Sequence, residues 1–285
     1  MSRRILVVLL VLVLATLACG VNFNLPFKTV NVGPEESQPI NVPVPQAGQT
    51  THLSLGFGAG KLTLSPGAGA QLVSGTATYN VPDFKPAVTT DGANVHIEQG
   101  NYTLRGIPNF QGMKNEWDLK LGQTPTDLTI QAGAYEGHYE LGGLSLTNLT
   151  VQDGASSVDL AFSSPNQSQM SLLRYETGAS NVKLTGLGNA DFSTLIFKSG
   201  AGDYTLDFSG QLQRDGTVTV DTGLSNLIVV VPEGVPAQVT VEGGLANVST
   251  VSGWGQSGKT YTQSGSGPSL TMIIKMGAGN LTLSK

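Results

Sequence analysis

The chain has 285 residues, of which only 12% are charged and 37 are glycine, at a net charge of −5. A hydrophobic content of 39% is enough for a packed core and excludes a disordered chain; the basic residues form no cluster beyond Arg3 and Arg4, which excludes a nucleic-acid binder. Abundant glycine without long helix-forming runs predicts an all-β chain with many turns.

At the N-terminus, Arg3 and Arg4 precede an apolar run from Ile5 to Ala18 that ends at Cys19. As a helix that run rises about 21 Å, short of the ~30 Å hydrocarbon core, so it reads as an export signal and not a membrane span. Cys19 is the only cysteine and cannot form an internal disulfide. The stretch Thr16-Leu17-Ala18-Cys19 resembles the lipobox of bacterial lipoproteins, with Thr16 where such boxes usually carry Leu. That resemblance implies that residues 1–19 are a signal peptide with a lipidated Cys19. It also implies an extracytoplasmic protein anchored to the bacterial cell membrane. Residues 20–50 carry Pro26, Pro34, Pro39, Pro43 and Pro45 without periodicity and read as a semi-rigid tether.

Residues 51–122 are read as an N-terminal β-subdomain, with strands at "QLVSGTATY", "ANVHIEQG" and "NEWDLKLG" among interrupting prolines. Residues 123–285 are read as a β-solenoid repeat domain, whose motif has one earlier copy in the N-terminal subdomain. Glycine-led motifs begin at Gly58, Gly133, Gly154, Gly178, Gly200, Gly223, Gly244 and Gly277, and from Gly133 to Gly244 the spacings are 21, 24, 22, 23 and 21. Five and three residues before each glycine the chain is apolar without exception, from Leu53/Leu55 to Met272/Ile274. Four and six residues after it the pattern continues, failing clearly only in the Gly133 copy with Gly137/Tyr139.

Alternation on both sides of a glycine predicts a strand, a tight corner, a second strand and a return turn, with the apolar positions facing inward. One such unit cannot bury its apolar face, but stacked units can. The predicted fold is therefore a single elongated parallel β-solenoid, right-handed and β-helix-like, continuous with the N-terminal β-subdomain. Glycine supplies close approach and positive φ at the corner; Asn181, Asn226, Asn247 and Asn280, three residues further on, are read as tolerating left-handed backbone. A strand follows these glycines where a phosphate loop needs a helix, and the Asp203 position is Lys61, Ser157, Asn181 or Asn226 elsewhere, unlike a calcium repeat. The last interval, Gly244 to Gly277, is longer and holds Trp254 and Tyr261 in a Gly/Ser-rich excursion, either a binding loop or a cap on an exposed strand edge.

From about residue 50 onward, "DLTIQAGA", "LTNLTVQDGASSVDL", "VPEGVPAQVTVEGGLANV" and "LTMIIKMGAGNLTL" give a further likeness. Across them the chain resembles the toast-rack lipoproteins and adhesin-like bacterial envelope domains, related to the C-terminal domain of LiaF-type envelope-stress regulators. The resemblance implies a parallel β-solenoid outside the cytoplasm with no known catalysis. It supplies no catalytic or binding residues to carry over.

The three histidines, His52, His96 and His138, are far apart in sequence, and no Ser/His/Asp set, HExxH or CxxC occurs; no cofactor or metal is expected. The candidate surface site is a weak patch. Glu136, His138 and Glu140 alternate on one outward face, with Asp159 and Lys183 on the following coils at about 4.8 Å intervals. It would take a divalent cation or a glycan; the simpler reading is a solvated face with an exposed Asp159–Lys183 pair worth about 0–1 kcal/mol. The function expected is a non-enzymatic, lipid-anchored cell-envelope surface protein acting in interaction, adhesion or envelope-stress sensing. Its partners would be the membrane, through the anchor, and envelope proteins or cell-wall polymer. Two alternatives are a polysaccharide-acting β-helix enzyme, for which Asp159, Asp203, Asp207 and Lys183 form a sparse set, and a mechanical spacer.

Overall fold

The apolar pairs that precede each glycine are buried in every copy, from Leu53/Leu55 to Met272/Ile274. In the computed structural model, which describes residues 32–45, 49–100 and 112–285, these pairs line the inside of long bent strands. The apolar run Ile5–Ala18 and Cys19, read from sequence as an export signal and its lipidation site, lie outside the described residues.

The N-terminal part comprises β1 (Glu36–Pro43), β2 (Thr51–Pro66), β3 (Gln71–Tyr79), β4 (Pro86–Asp91), β5 (Asn94–Gln99) and β6 (Asn115–Leu121). The coils follow as β7 (Thr126–Glu140), β8 (Leu146–Ala161), β9 (Met170–Thr185), β10 (Phe192–Asp207), β11 (Gly216–Val230) and β12 (Ala237–Thr250). A hairpin of β13 (Gly255–Ser257) and β14 (Thr260–Gln263) leads to β15 (Leu270–Ser284). Helical structure among the described residues is confined to 3-10 turns at Pro82–Phe84 and Leu187–Ala190. Residues 36–43, read from sequence as part of the tether, instead form β1, which pairs antiparallel with β3.

All these strands belong to one sheet, and β2, β7, β8, β9, β10 and β11 stack parallel in chain order. The order then departs from the chain. The last strand, β15, lies between β11 and β12 and is parallel to both. Two physical terms favour this exchange. In register, Asp221 lies beside Lys275 and Lys275 beside Glu242, whereas chain order would set the two carboxylates against each other. The more apolar strand also takes the enclosed slot. Met272, Ile274, Leu281 and Leu283 of β15 are buried, while Val248 of β12 is half-buried and Thr250 exposed.

The excursion before β15 is a cap. β14 pairs antiparallel with Ala237–Thr240 of β12, and Tyr261 is buried against the core. At the opposite end, β5 covers the first half of β2 and β6 the second.

The Gly133 copy breaks the sequence pattern for a steric reason. Tyr135 turns inward, and a Cβ on Gly137 would stand 2.9 Å from its ring; the missing side chain makes room for the large one. On the return side, Asn166 is buried and acts as a clamp, its Oδ1 accepting from the Leu146 N–H at 2.9 Å and its Nδ2 donating to the Leu146 carbonyl at 2.7 Å. Asp191, 6% exposed and the one non-glycine residue with positive φ among the described residues, receives Arg214 in a two-point pair at 2.7 and 2.8 Å. The corner asparagines are therefore not left-handed, contrary to expectation. Three of them hydrogen-bond from coil to coil instead, Asn226 to Asp203 at 2.8 Å, Asn280 to Asn226 at 2.8 Å and Asn247 to Asn280 at 3.5 Å.

Candidate functional site

Strand alternation turns every second residue of each coil outward, and parallel register aligns those residues in rows running across the coils. The patch expected from sequence lies in two such rows on the strand halves after the corners. His138 Nε2 meets Glu136 Oε1 at 2.7 Å, Lys61 Nζ approaches the same oxygen at 3.8 Å, and His138 Nδ1 lies 3.9 Å from Asp159 Oδ2. The hydrogen bond with His138 and the nearby Lys61 charge hold the Glu136 carboxyl below its usual pKa. Lys183 pairs in backbone register with Asp159, but among the described residues no ion pair joins them. Glu140 shares the face yet spends its carboxylate on the return turn, accepting from the Gly142 N–H at 2.7 Å and the Ser163 N–H at 3.2 Å. The structure thus gathers Glu136, His138 and Asp159, keeps Lys183 on the next rung and removes Glu140. No group of three or more metal-ligating side chains is poised for an ion among the described residues.

On the halves before the corners, a row of charges alternates through Glu176, Lys198, Asp221, Lys275 and Glu242. Lys198 lies 3.3 Å from Glu176 and Lys275 lies 3.7 Å from Glu242. Beside this row, Gly223, Gly243 and Gly277 floor an open groove of about 600 Å³ walled by Asp221, Lys275 and Glu242. The groove exists because glycine corners have no side chains to fill it.

Two arrangements have no sequence signature. His52 of β2 stands 3.5 Å from Asp127 of β7, and with His96 of β5 and Ser54 they line a shallow concavity of about 330 Å³. The β2–β5 pairing that unites the two histidines lies outside the repeat, so spacing could not reveal it. Among the described residues no hydrogen bond links Ser54 to His96, so the set lacks a nucleophile–base contact. Beside the Gly154 corner, half-buried Asp153 collects hydroxyls from the interior. Tyr135 and Tyr175 donate to its Oδ2 at 3.2 and 2.7 Å, Thr177 donates to its Oδ1, and Tyr139 donates to the Tyr135 hydroxyl at 2.9 Å. Burial, reinforced by the neighbouring hydroxyl and carboxylate charges, holds all three phenols well above their usual pKa. This network braces coils and faces the core. What the outer surface offers is rigid rows of donors, acceptors and charges at the inter-coil spacing, a geometry suited to lying along another extended surface.

Comparison with a solved structure recovers the same architecture. A candidate cell adhesion protein from Clostridium sporogenes ATCC 15579 superposes with a TM-score of 0.51 at 20% identity, covering 88% of this chain and 99% of that one. A candidate adhesin from Bacteroides fragilis NCTC 9343 gives 0.45 at 12% identity, covering 88% of this chain and 97% of that one. No curated protein matches the chain. The family model described as the N-terminal domain of toast_rack, DUF2154, matches residues 31–185, spanning both the N-terminal strands and the first three coils of the stack. The chain belongs to the toast-rack family.

Proposed function

We infer that the protein is a non-enzymatic, adhesin-like surface module of the cell envelope, anchored through a lipidated Cys19. The observation that carries this reading is the registered outer surface. Rows such as Glu176–Lys198–Asp221–Lys275–Glu242 repeat charge and hydrogen-bonding groups along a rigid stack, as contact with a protein or polymer surface requires. The adhesion-related description of the Clostridium sporogenes structure agrees in kind. The lipobox-like Thr16–Cys19 stretch supports the anchor, and the prolines between residues 20 and 35 suit a spacer.

The test is attachment of producing cells to purified cell-wall polymer and to partner cells. Wild type is expected to raise attachment. Lys198→Glu with Lys275→Glu is expected to abolish it while leaving surface display intact. Cys19→Ser is expected to end fatty-acid labelling and release folded protein to the medium. Attachment indifferent to the row substitutions would sink the adhesion reading; unlabelled but retained Cys19→Ser protein would sink the anchor. Activation of an envelope-stress response without attachment would move the reading to sensing.

A further inference from the structure

The two ends of the stack are finished differently. At the N-terminal end the outermost strand is β1, where Pro39 and Pro43 withhold two backbone donors and Glu35 and Glu36 charge its start. The other outer strand there, β4, opens with Pro86 and closes with Asp91. At the C-terminal end, β14 covers β12 only over Ala237–Thr240. From Gly244 to Thr250 the outer edge of β12 has no partner strand among the described residues, while its inner edge pairs fully with β15. That stretch is as long as an ordinary strand, and the sequence from Gly243 to Gly258 contains neither a charge nor a proline. Natural sheets guard lone edges with lysine, proline or bulges. This half-edge carries none of these.

The side chains point the same way. From Asn226 onward along the asparagine row, each amide nitrogen donates to the coil before it: Asn226 to Asp203, Asn280 to Asn226 at 2.8 Å, and Asn247 to Asn280 at 3.5 Å. Each carbonyl oxygen in turn accepts from the coil after it. Asn247 Oδ1 is the first in the row with no next coil to serve. Exposed large apolar side chains also gather at this end, with Leu224, Ile228, Ile273 and Val251 among them.

We propose that the open half of β12 pairs with the same half-edge of a second copy, the two strands running antiparallel about a two-fold axis at Asn247. In that register Asn247 faces Asn247 of the second copy and extends the amide row. Ala246 faces Val248, and Gly244 faces Thr250. Val251, 40% exposed, lies opposite Gly243, which has no side chain to obstruct it. No like charges are opposed anywhere along the pairing, as a two-fold interface demands of a sequence that must complement itself. The alternative within this chain, β12 on the β1 edge of another copy, is blocked by the β1 prolines. Pairing of this kind does not depend on what the outer rows contact.

The test uses the full-length chain with Cys19→Ser, so that an engineered cysteine is the only thiol. Asn247→Cys should oxidise rapidly to a disulfide-linked dimer, because directly opposed residues of antiparallel strands bring Cα atoms within about 4.5–5.5 Å. Asn181→Cys, in the same row but inside the stack, should remain monomeric. In sedimentation equilibrium, the native sequence at that half-edge should dimerise, and Asn247→Lys, which sets two lysines face to face, should weaken the dimer by about ten-fold or more with the near-ultraviolet dichroism unchanged. A monomer at all concentrations overturns the proposal. So does a dimer indifferent to Asn247→Lys, or equal oxidation of the two cysteine variants. Capture of a foreign strand by a chain that stays monomeric alone overturns it as well.

Discussion

The coils at β10 and β11 and the last coil at β12 carry the same glycine-led motif, yet they need it for different reasons. A Cβ on Gly223 would stand 2.5 Å from the Gly200 carbonyl oxygen of the preceding coil, and one on Gly200 2.8 Å from that of Gly178. A Cβ on Gly244 would meet nothing within 4 Å. The leading glycine is therefore demanded by a neighbouring backbone and not by its own dihedral angles. Two residues on, Gly202 answers to both demands at once. Its φ is +150°, and its Cβ would overlap the Ser180 carbonyl at 1.8 Å. A motif that looks uniform in sequence is thus enforced in the stack and idle at the end.

The largest effect should come from breaking the enforced corner. Gly202→Ala is expected to cost more than about 4 kcal/mol, since backbone must move and no side chain can yield. Gly223→Ala should cost about 2–3 kcal/mol through the carbonyl contact alone. Gly244→Ala should stay within about 0.5 kcal/mol. Denaturant midpoints of the three variants order the explanation directly; comparable losses at Gly223 and Gly244 would refute it.

The interior of the stack differs from its surface in pH response as well. With the phenols of Tyr135, Tyr139 and Tyr175 held neutral by burial, the folded state binds protons that the unfolded chain releases above about pH 10. Their contribution to stability is complete below that pH and is lost as pH rises above it, at about 1.4 kcal/mol per pH unit for each tyrosine. Three together give about 4 kcal/mol per unit. Ionisation of these three phenols should therefore appear with unfolding and not before it, and Tyr175→Phe should make the alkaline transition shallower.

Much of this was readable in the sequence, because period-two burial on either side of a glycine is a local signal and register copies it from coil to coil. The inward pairs and the shared face of Glu136, His138 and Asp159 follow from that alone. What escaped depends on which rung lies beside which. Lys275 reaches its place between Asp221 and Glu242 only because β15 doubles back, and nothing near Lys275 in the chain announces this. His52 and His96 meet through a pairing outside the repeat. Glu140 leaves the patch because two N–H groups of return turns, which do not repeat, claim its carboxylate. The corner asparagines depart from expectation since one residue type serves both left-handed backbone and side-chain ladders, and only neighbours decide between them.

A buried ion pair and an exposed one mark the next contrast. Asp191→Ala leaves Arg214 facing an emptied, largely enclosed site and should cost about 3 kcal/mol. Asp191→Asn keeps the shape, loses the charge and should cost less, because an amide oxygen still accepts one guanidinium N–H. Thermal unfolding of the two variants separates charge from shape.

The smallest effect belongs to the Glu136–His138 patch. Glu136 is bathed in water, so its hydrogen bond with His138 and the approach of Lys61 are screened, and Glu136→Gln should change stability at pH 7 by about 0–1 kcal/mol. The sign with pH is fixed even though the size is small. A carboxyl held below its unfolded value near 4.5 stabilises the fold above that pH, and the contribution fades as pH falls through the carboxylate range. The wild-type advantage over Glu136→Gln should therefore be present at pH 7 and shrink as pH falls through the carboxylate range, read from urea midpoints along that descent. An advantage that persisted or grew in acid would mean that Glu136 acts through its shape and not its charge, and that its row is not electrostatic at that rung.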